Sequence, residues 1–453
     1  MLTGISLVLL LVAAVAFVIV ATAKFDLHAF LALLIAAYAT ALIGGIGARE
    51  TTSLITSGFG ATLGEIGIII LAGTIIGVLL ERSGAAIVIA ESIIGLVGDE
   101  YTTEVMAATG GVISIPVFCD SGFVVLSGLN RSLAQRSKLS LATLAVALAG
   151  GLYVTHVFVP PTPGPIAAAG ELNADVGLVM LAGIVVSIPI IGVAAVWADR
   201  IASNYYIEPN PEMSVESVKA EYGELPSPAA SFAPLAIPIL LIALGSIAAF
   251  PEASDPAFVD GPLQSLLLFL GSPSVALLVG VFVGFVAVPA DLNVVADEWV
   301  SDGLVSAAVI LAVTGAGGAF GSVLGALPLQ AFVENQLSGL GLGLLAAFLL
   351  AAGLKTALGS STVAIITTAS IIGSLLDPLG LATQWGRVFA VLAIGAGAMT
   401  VSHANDSYFW IITEFSDMSP DTAYKAWTGA TLALGVASIA WIIVVKAAVT
   451  AVL

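Results

Sequence analysis

Ionisable side chains inside long apolar runs are the residues of this sequence best placed to do chemistry, because charge at membrane depth is costly and its default reading is functional. Asp120 and Asp406 are two such carboxylates. Both are candidate proton carriers, since a carboxyl group taken out of water favours its neutral form. Histidine exchanges protons near neutrality, which brings in His156 as a substrate ligand and His403 as a ligand or proton carrier. Lys355 could hold a substrate carboxylate or pair with Asp120. Small polar residues surround these groups at four interruptions: Cys119-Asp120-Ser121-Gly122, Thr155-His156 through Pro165, Gly359-Ser360-Ser361-Thr362, and Ser402-His403-Ala404-Asn405-Asp406-Ser407. A helix that starts at such a break points free N–H groups and its positive dipole end into the cavity, a ready anion site. Ser121, Thr155, Ser360, Ser361, Thr362 and Ser407 add hydroxyls and Asn405 an amide, and Gly122 at the first hairpin turn is placed in the same substrate site. The competing bland reading has each hydroxyl capping its own helix, Lys355 reaching to the interface and the histidines capping broken helices. Four clusters at related breaks favour a substrate site.

The elements that must position these groups are membrane helices. The chain has 453 residues, 59% of them hydrophobic and only 9% charged, with a mean hydropathy of +1.12; about a quarter of a soluble protein is charged. Apolar stretches run at Ile5–Thr22, Leu27–Ile46, Ile66–Leu80, Leu139–Tyr153, Val176–Trp197, Phe232–Phe250, Leu266–Val288, Val305–Leu327, Val388–Thr400 and Thr428–Lys446. They predict about ten spans of an all-α polytopic protein. Glu104–Leu133 and Leu342–Leu376 are too long for one span and carry polar clusters, so they predict re-entrant hairpins turning at Asp120-Ser121-Gly122 and at Gly359-Ser360-Ser361-Thr362. In Val159–Pro165, Pro160, Pro161, Pro163 and Pro165 must break a helix. The first residues, Met1–Ser6, carry no positive charge, which predicts a retained first helix rather than a cleaved signal peptide.

The sequence repeats itself. Ile70-Leu71-Ala72-x-Thr74-x-x-Gly77 recurs as Ile310-Leu311-Ala312-x-Thr314-x-x-Gly317, 240 residues on, and the same offset lays Asp120-Ser121 on Ser360-Ser361. Tyr153-Val154-Thr155-His156 likewise matches Thr400-Val401-Ser402-His403 with a short insertion. The expected organisation is a first repeat over 1–198, an acidic cytoplasmic linker over 199–231 and a second repeat over 232–453. Each repeat then has five spans and one hairpin, and an odd count inserts the second upside down. Placing the N-terminus outside puts Lys24, Arg82, Arg131, Arg136, Lys138, Arg200, Lys219 and Lys425 in the cytoplasm against Arg49, Arg387 and Lys446 outside, the expected bias. The net charge of −18 collects in connections such as Asp199–Glu224, which reads as a solvated acidic surface of the kind used in high salt.

These residues exclude several functions. Gly-x-x-x-x-Gly-Lys-[Ser/Thr] is absent, so an ATP-driven pump is not expected. The single Cys119 rules out an internal disulfide and a cysteine metal cluster, and no metal, cofactor or nucleic-acid partner is expected. An intramembrane enzyme is a rival, but His-Glu-x-x-His is missing and the Ser, His and Asp candidates come as repeat-related sets. A passive channel is a third reading. The Ile115-Pro116-Val117-Phe118-Cys119-Asp120-Ser121-Gly122-Phe123 segment, the Thr155–Pro165 run, Gly359-Ser360-Ser361-Thr362-Val363-Ala364 and Ser402–Trp410 together resemble the gluconate permease (GntP-type) family of the ion transporter superfamily. The resemblance implies proton-coupled uptake of gluconate or another small sugar acid across the cell membrane. It also implies a homodimer in which a hairpin-bearing transport domain moves against a scaffold, an elevator mechanism. Sodium in place of the proton, and another hydroxy carboxylate in place of gluconate, stay open.

Overall fold

The computed structural model describes all residues except 1, 3, 4, 26, 98–100, 210–221, 223, 250–260, 329–342, 405 and 453. Its described elements are all helical. The first half contains α1 (Ile5–Phe25), α2 (Ala29–Gly44), α3 (Ala48–Arg82), α4 (Ala85–Val97), α5 (Thr102–Ile113), α6 (Cys119–Ser137), α7 (Leu141–Phe158), α8 (Pro163–Glu171) and α9 (Val176–Arg200). The second contains α10 (Pro228–Ala249), α11 (Gly261–Leu270), α12 (Pro273–Ala287), α13 (Leu292–Ala326), α14 (Gly343–Leu358), α15 (Ser361–Gly373), α16 (Gln384–Ala398), α17 (Ser407–Phe415) and α18 (Pro420–Thr450). By length and apolarity, five described helices can cross a bilayer, or seven if each sharply bent pair is one span; α2, α14 and α15 are shorter.

The centre is the α7–α8 unit. Its apolar window is 100% buried, whereas that of α18 is 28% buried, so α18 turns an apolar face outward, where lipid is as good a partner as protein. Small residues let the central helices touch. A Cβ on Gly151 of α7 would lie 1.8 Å from the Ala107 carbonyl oxygen of α5, and one on Gly397 of α16 would lie 2.2 Å from that of Phe348 in α14. Thus α5 packs on α7 as α14 packs on α16, and the long helices α3 and α13 pack on each other. The second hairpin arm α15 lies against α8, and the first hairpin arm α6 lies against α17.

An arginine from the opposite half holds each of two sharp corners. Arg131 of α6 donates to the Asp417 carboxylate at 2.6 Å and the Phe415 carbonyl at 2.8 Å, between α17 and α18. Arg387 of α16 donates to the carbonyls of Leu172 and Asn173, each at 3.2 Å, between α8 and α9. Asn173 and Asp417 both have left-handed backbones, φ 49° and 54°, a conformation that asparagine and aspartate tolerate better than most residues.

Four elements differ from the sequence expectation. The span expected at Ile66–Leu80 extends back to Ala48, because the polar stretch from Arg49 to Ser53 hides a helix that bends by 46° near Gly64. Helix α4 was not expected. The apolar run Leu266–Val288 is two helices bent by 69°, broken where Ser272 and Pro273 start a new helix. The first hairpin turns at Ser114–Phe118, not at Asp120-Ser121-Gly122, which form the first turn of α6; Pro116 sits in that turn. The second hairpin turns at Gly359, where φ is +77°, as expected. Part of the 199–231 linker and the stretch 250–260 between α10 and α11 lie outside the described residues.

Candidate substrate site

Residues 402–407, between α16 and α17, are the point on which both hairpins converge. Asp406 caps α17, its Oδ1 accepting from the Tyr408 N–H at 3.1 Å. Its Oδ2 accepts from Lys355 Nζ at 2.6 Å and from Ser402 Oγ at 2.5 Å. Lys355 ends α14, the first arm of the second hairpin, and also donates to the Gly359 carbonyl at the hairpin's turn. The first hairpin arrives from the other side, where Asp120 in the first turn of α6 accepts from Ser407 Oγ at 3.3 Å.

An aromatic layer supports the ion pair. Lys355 Nζ lies 5.7 Å from the Tyr153 ring centroid, close enough for a cation–π contact. Tyr153 packs on Tyr408 at 5.5 Å and on Trp427 at 5.8 Å between ring centroids. The polar ends of these rings are satisfied, as buried Tyr and Trp require. Tyr153 donates to the Ala398 carbonyl, Tyr408 to the Ala149 carbonyl, and Trp427 Nε1 to Ser402 Oγ at 3.0 Å. Ser402 is further fixed by α18, its N–H donating to Thr431 and its carbonyl accepting from Thr428. Lys355 and Asp406 are held by five elements at once, so their separation is set by the fold and not by flexible side chains.

The expected residues are sorted by this geometry. Asp120, Lys355, Asp406 and Ser407 come together; Ser361, buried at the start of α15, lies beside the Tyr153 side chain. His156 is buried 6.1 Å from the Phe118 ring and within charge reach of Lys355 and Asp406, and its Nδ1 has no partner among the described residues. Other residues face away or cap helices. Thr155 and His156 stand in the last turn of α7, not in the break, which begins at Val159. Thr155 Oγ1 bonds its own helix at the Gly151 carbonyl. Ser121 lies beside the Glu81 side chain, and Gly122 is buried with its Cα facing Leu152. Ser360 caps α15 through the Val363 N–H at 3.3 Å, Thr362 is half-buried beside it, and His403 Nε2 lies 2.9 Å from the Thr356 carbonyl. Asn405 lies outside the described residues. The alternative pairing of Lys355 with Asp120 is not what forms: its ammonium reaches Asp406, because the last turn of α14 faces His403 and Asp406.

The model of the GntP family permease matches residues 5–449. This chain belongs to the GntP permease family. It is 32% identical over 444 residues to the gluconate permease of Pseudomonas aeruginosa, covering 94% of this chain and 95% of that one. An uncharacterized permease of Haemophilus influenzae is 38% identical over 401 residues, 85% of this chain and 80% of its own. Among solved structures, the YdaH transporter of Alcanivorax borkumensis superposes with a TM-score of 0.67 at 16% identity, covering 92% of this chain and 97% of that one, a likeness of fold. The chain is therefore a multi-pass cell-membrane permease and not an enzyme.

For a GntP-type permease, the groups that sequence reasoning missed are Ser402 as an Asp406 ligand and the Tyr153, Tyr408 and Trp427 layer. One signal pointed to Ser402, which the self-comparison aligns with Thr155. No local pattern pointed to the aromatic layer, because its members come from α7, α17 and the start of α18.

Proposed function

We propose that this permease takes up gluconate or a closely related small sugar acid with protons, by an elevator movement of a hairpin-bearing domain against a dimeric scaffold. The observation that carries this reading is the buried Lys355–Asp406 pair at the meeting point of both hairpins and of the 402–407 break. A cation so placed suits a carboxylate, and the hydroxyls of Ser360, Ser361, Thr362 and Ser407 suit a polyol tail. The name of the P. aeruginosa relative supports the substrate class. A monocarboxylate entering a negative-inside cell works against about 2.3 kcal/mol per 100 mV, so a cation must accompany it for uptake to accumulate.

The same proposal includes ten spans in two inverted repeats, 1–198 and 232–453, joined by a cytoplasmic linker over 199–231, with both termini outside. The order of helices in the two halves, and the matched packing of α5 on α7 and α14 on α16, support it. The proton sites are drawn from Asp120, Asp406 and His403. The test uses proteoliposomes loaded with the full chain and labelled gluconate. Accumulation driven by an imposed pH gradient, absent with a sodium gradient alone, is the expected result. Equilibration without accumulation would mean a channel, and sodium-driven accumulation would overturn the proton reading.

A further inference from the structure

Asp406 already has a cation and two further donors, so protonating it where it stands would strand a buried ammonium, at a cost of several kcal/mol. The same pair becomes a coupling device once the substrate is an anion. We propose a counter-ion exchange, resting on the sugar-acid reading above: the substrate carboxylate replaces Asp406 as the partner of Lys355, and the released Asp406 carboxylate takes up the coupling proton. The charges balance at each stage. Empty, Lys355 and Asp406 sum to zero; loaded, Lys355 and the substrate carboxylate sum to zero and Asp406 is neutral. One proton and one monocarboxylate enter from outside and leave inside, and the site carries no net charge in either direction of movement.

The surroundings fit the exchange. The neighbouring residue, Ser407, is exposed and bonded to half-buried Asp120, so the edge of the pair is open while Lys355 itself is buried. The α15 N-terminus opens beside the Gly359 turn, and its dipole favours an incoming carboxylate. Ser402 and the Tyr408 N–H stay with Asp406 and can hold it after Lys355 is lost to the substrate. The ionisable groups facing Asp406 are Lys355 from α14, Asp120 and Cys119 from α6, Tyr153 and His156 from α7, and Tyr408 from α17. Of these, Lys355 alone shares a hydrogen bond with the Asp406 carboxylate.

The exchange makes gluconate binding consume one proton, so the apparent Kd of the purified full chain for gluconate is expected to rise about tenfold for each pH unit across neutrality. In Asp406→Asn the slope is expected to vanish; in Asp120→Asn it is expected to remain. A pH-independent wild-type Kd overturns the exchange, and this measurement needs no variant to fold. A slope lost in Asp120→Asn and kept in Asp406→Asn also overturns it, by moving the proton to Asp120. In proteoliposomes, a pH gradient at clamped potential is expected to drive accumulation, and an imposed potential at equal pH is not. Potential-driven accumulation overturns the exchange and leaves sugar-acid transport standing. No gluconate movement under either gradient refutes the sugar-acid reading, and the exchange falls with it.

Discussion

Replacing Lys355 by methionine removes the ammonium and keeps most of the side-chain volume, which isolates the charge. The Lys355 and Asp406 side chains have relative exposures of 1% and 5%, so Asp406 cannot regain by hydration what it loses. Stranding one member of a buried pair costs about 3–5 kcal/mol. The Gly359 carbonyl also loses its Lys355 donor, worth about 1–3 kcal/mol if nothing replaces it, and the contact over Tyr153 goes as well. These losses overlap, so a total of about 4 kcal/mol is expected. Adding Asp406→Asn removes the stranded charge while keeping the cap, since asparagine caps helices as well as aspartate and can still accept from the Tyr408 N–H. The double variant is expected to recover more than half of the loss. Apparent unfolding midpoints in detergent, compared at one scan rate, measure the cycle. Strictly additive effects, or a Lys355→Met variant as stable as the parent, would refute the account of the pair.

Other outcomes follow from the same packing. Arg131→Gln removes a charge-assisted bond to Asp417 and a bond to the Phe415 carbonyl, and is expected to cost about 2–3 kcal/mol in unfolding midpoint; Arg131→Lys is expected to recover only part, because one ammonium cannot reproduce the two-pronged reach. Gly151→Ala puts a methyl group 1.8 Å from the Ala107 carbonyl oxygen, so α5 and α7 must separate; at least about 1–3 kcal/mol is lost, seen as a lower midpoint or a lower yield of monodisperse protein. A cysteine placed in the 199–231 linker, after Cys119 is replaced by alanine, is expected to react with impermeant reagents from the cytoplasmic side alone, and labelling from outside would overturn the proposed orientation.

The helices were legible where apolar runs are long and simple, as in α1, α9 and α10. They were not legible where polarity and helix coincide. The start of α3 carries Arg49, Glu50, Thr51, Thr52 and Ser53, and reads as a connection because a hydropathy window cannot tell a solvated helical turn from a loop. The break at Gly271-Ser272-Pro273 was visible in its residues, but a continuous apolar run on both sides outweighed it. The polar clusters of the two hairpins were legible as small polar residues in apolar segments, although the first turn lies at Ser114–Phe118 and not at Asp120-Ser121-Gly122. The partners of these clusters were not legible. Lys355 and Asp406 are 51 residues apart, and the Tyr408 hydroxyl bonds a carbonyl 259 residues away; only tertiary packing makes such pairs.

The repeat also gave too even a picture of the site. Treating the four polar breaks as equivalent suggests four equal contributions to a symmetric cavity, yet the charged partners gather at one of them. The first-half break carries Thr162, whose hydroxyl bonds the Val159 carbonyl, and no ionisable residue between Val159 and Pro165. Its nearest titratable group, His156, has stayed inside α7. At the second-half break the matching turn is unwound, and Ser402 is freed from its own helix to bond Asp406, Trp427 and Thr428. The two halves therefore share related packing, α5 on α7 and α14 on α16, while the ionisable chemistry gathers in one. Both hairpins reach that half, the second through Lys355 and the first through Asp120. A movement that shifts either hairpin must therefore disturb the bonds of Asp406 or of Ser407, which ties the electrostatics of the site to the motion proposed for transport.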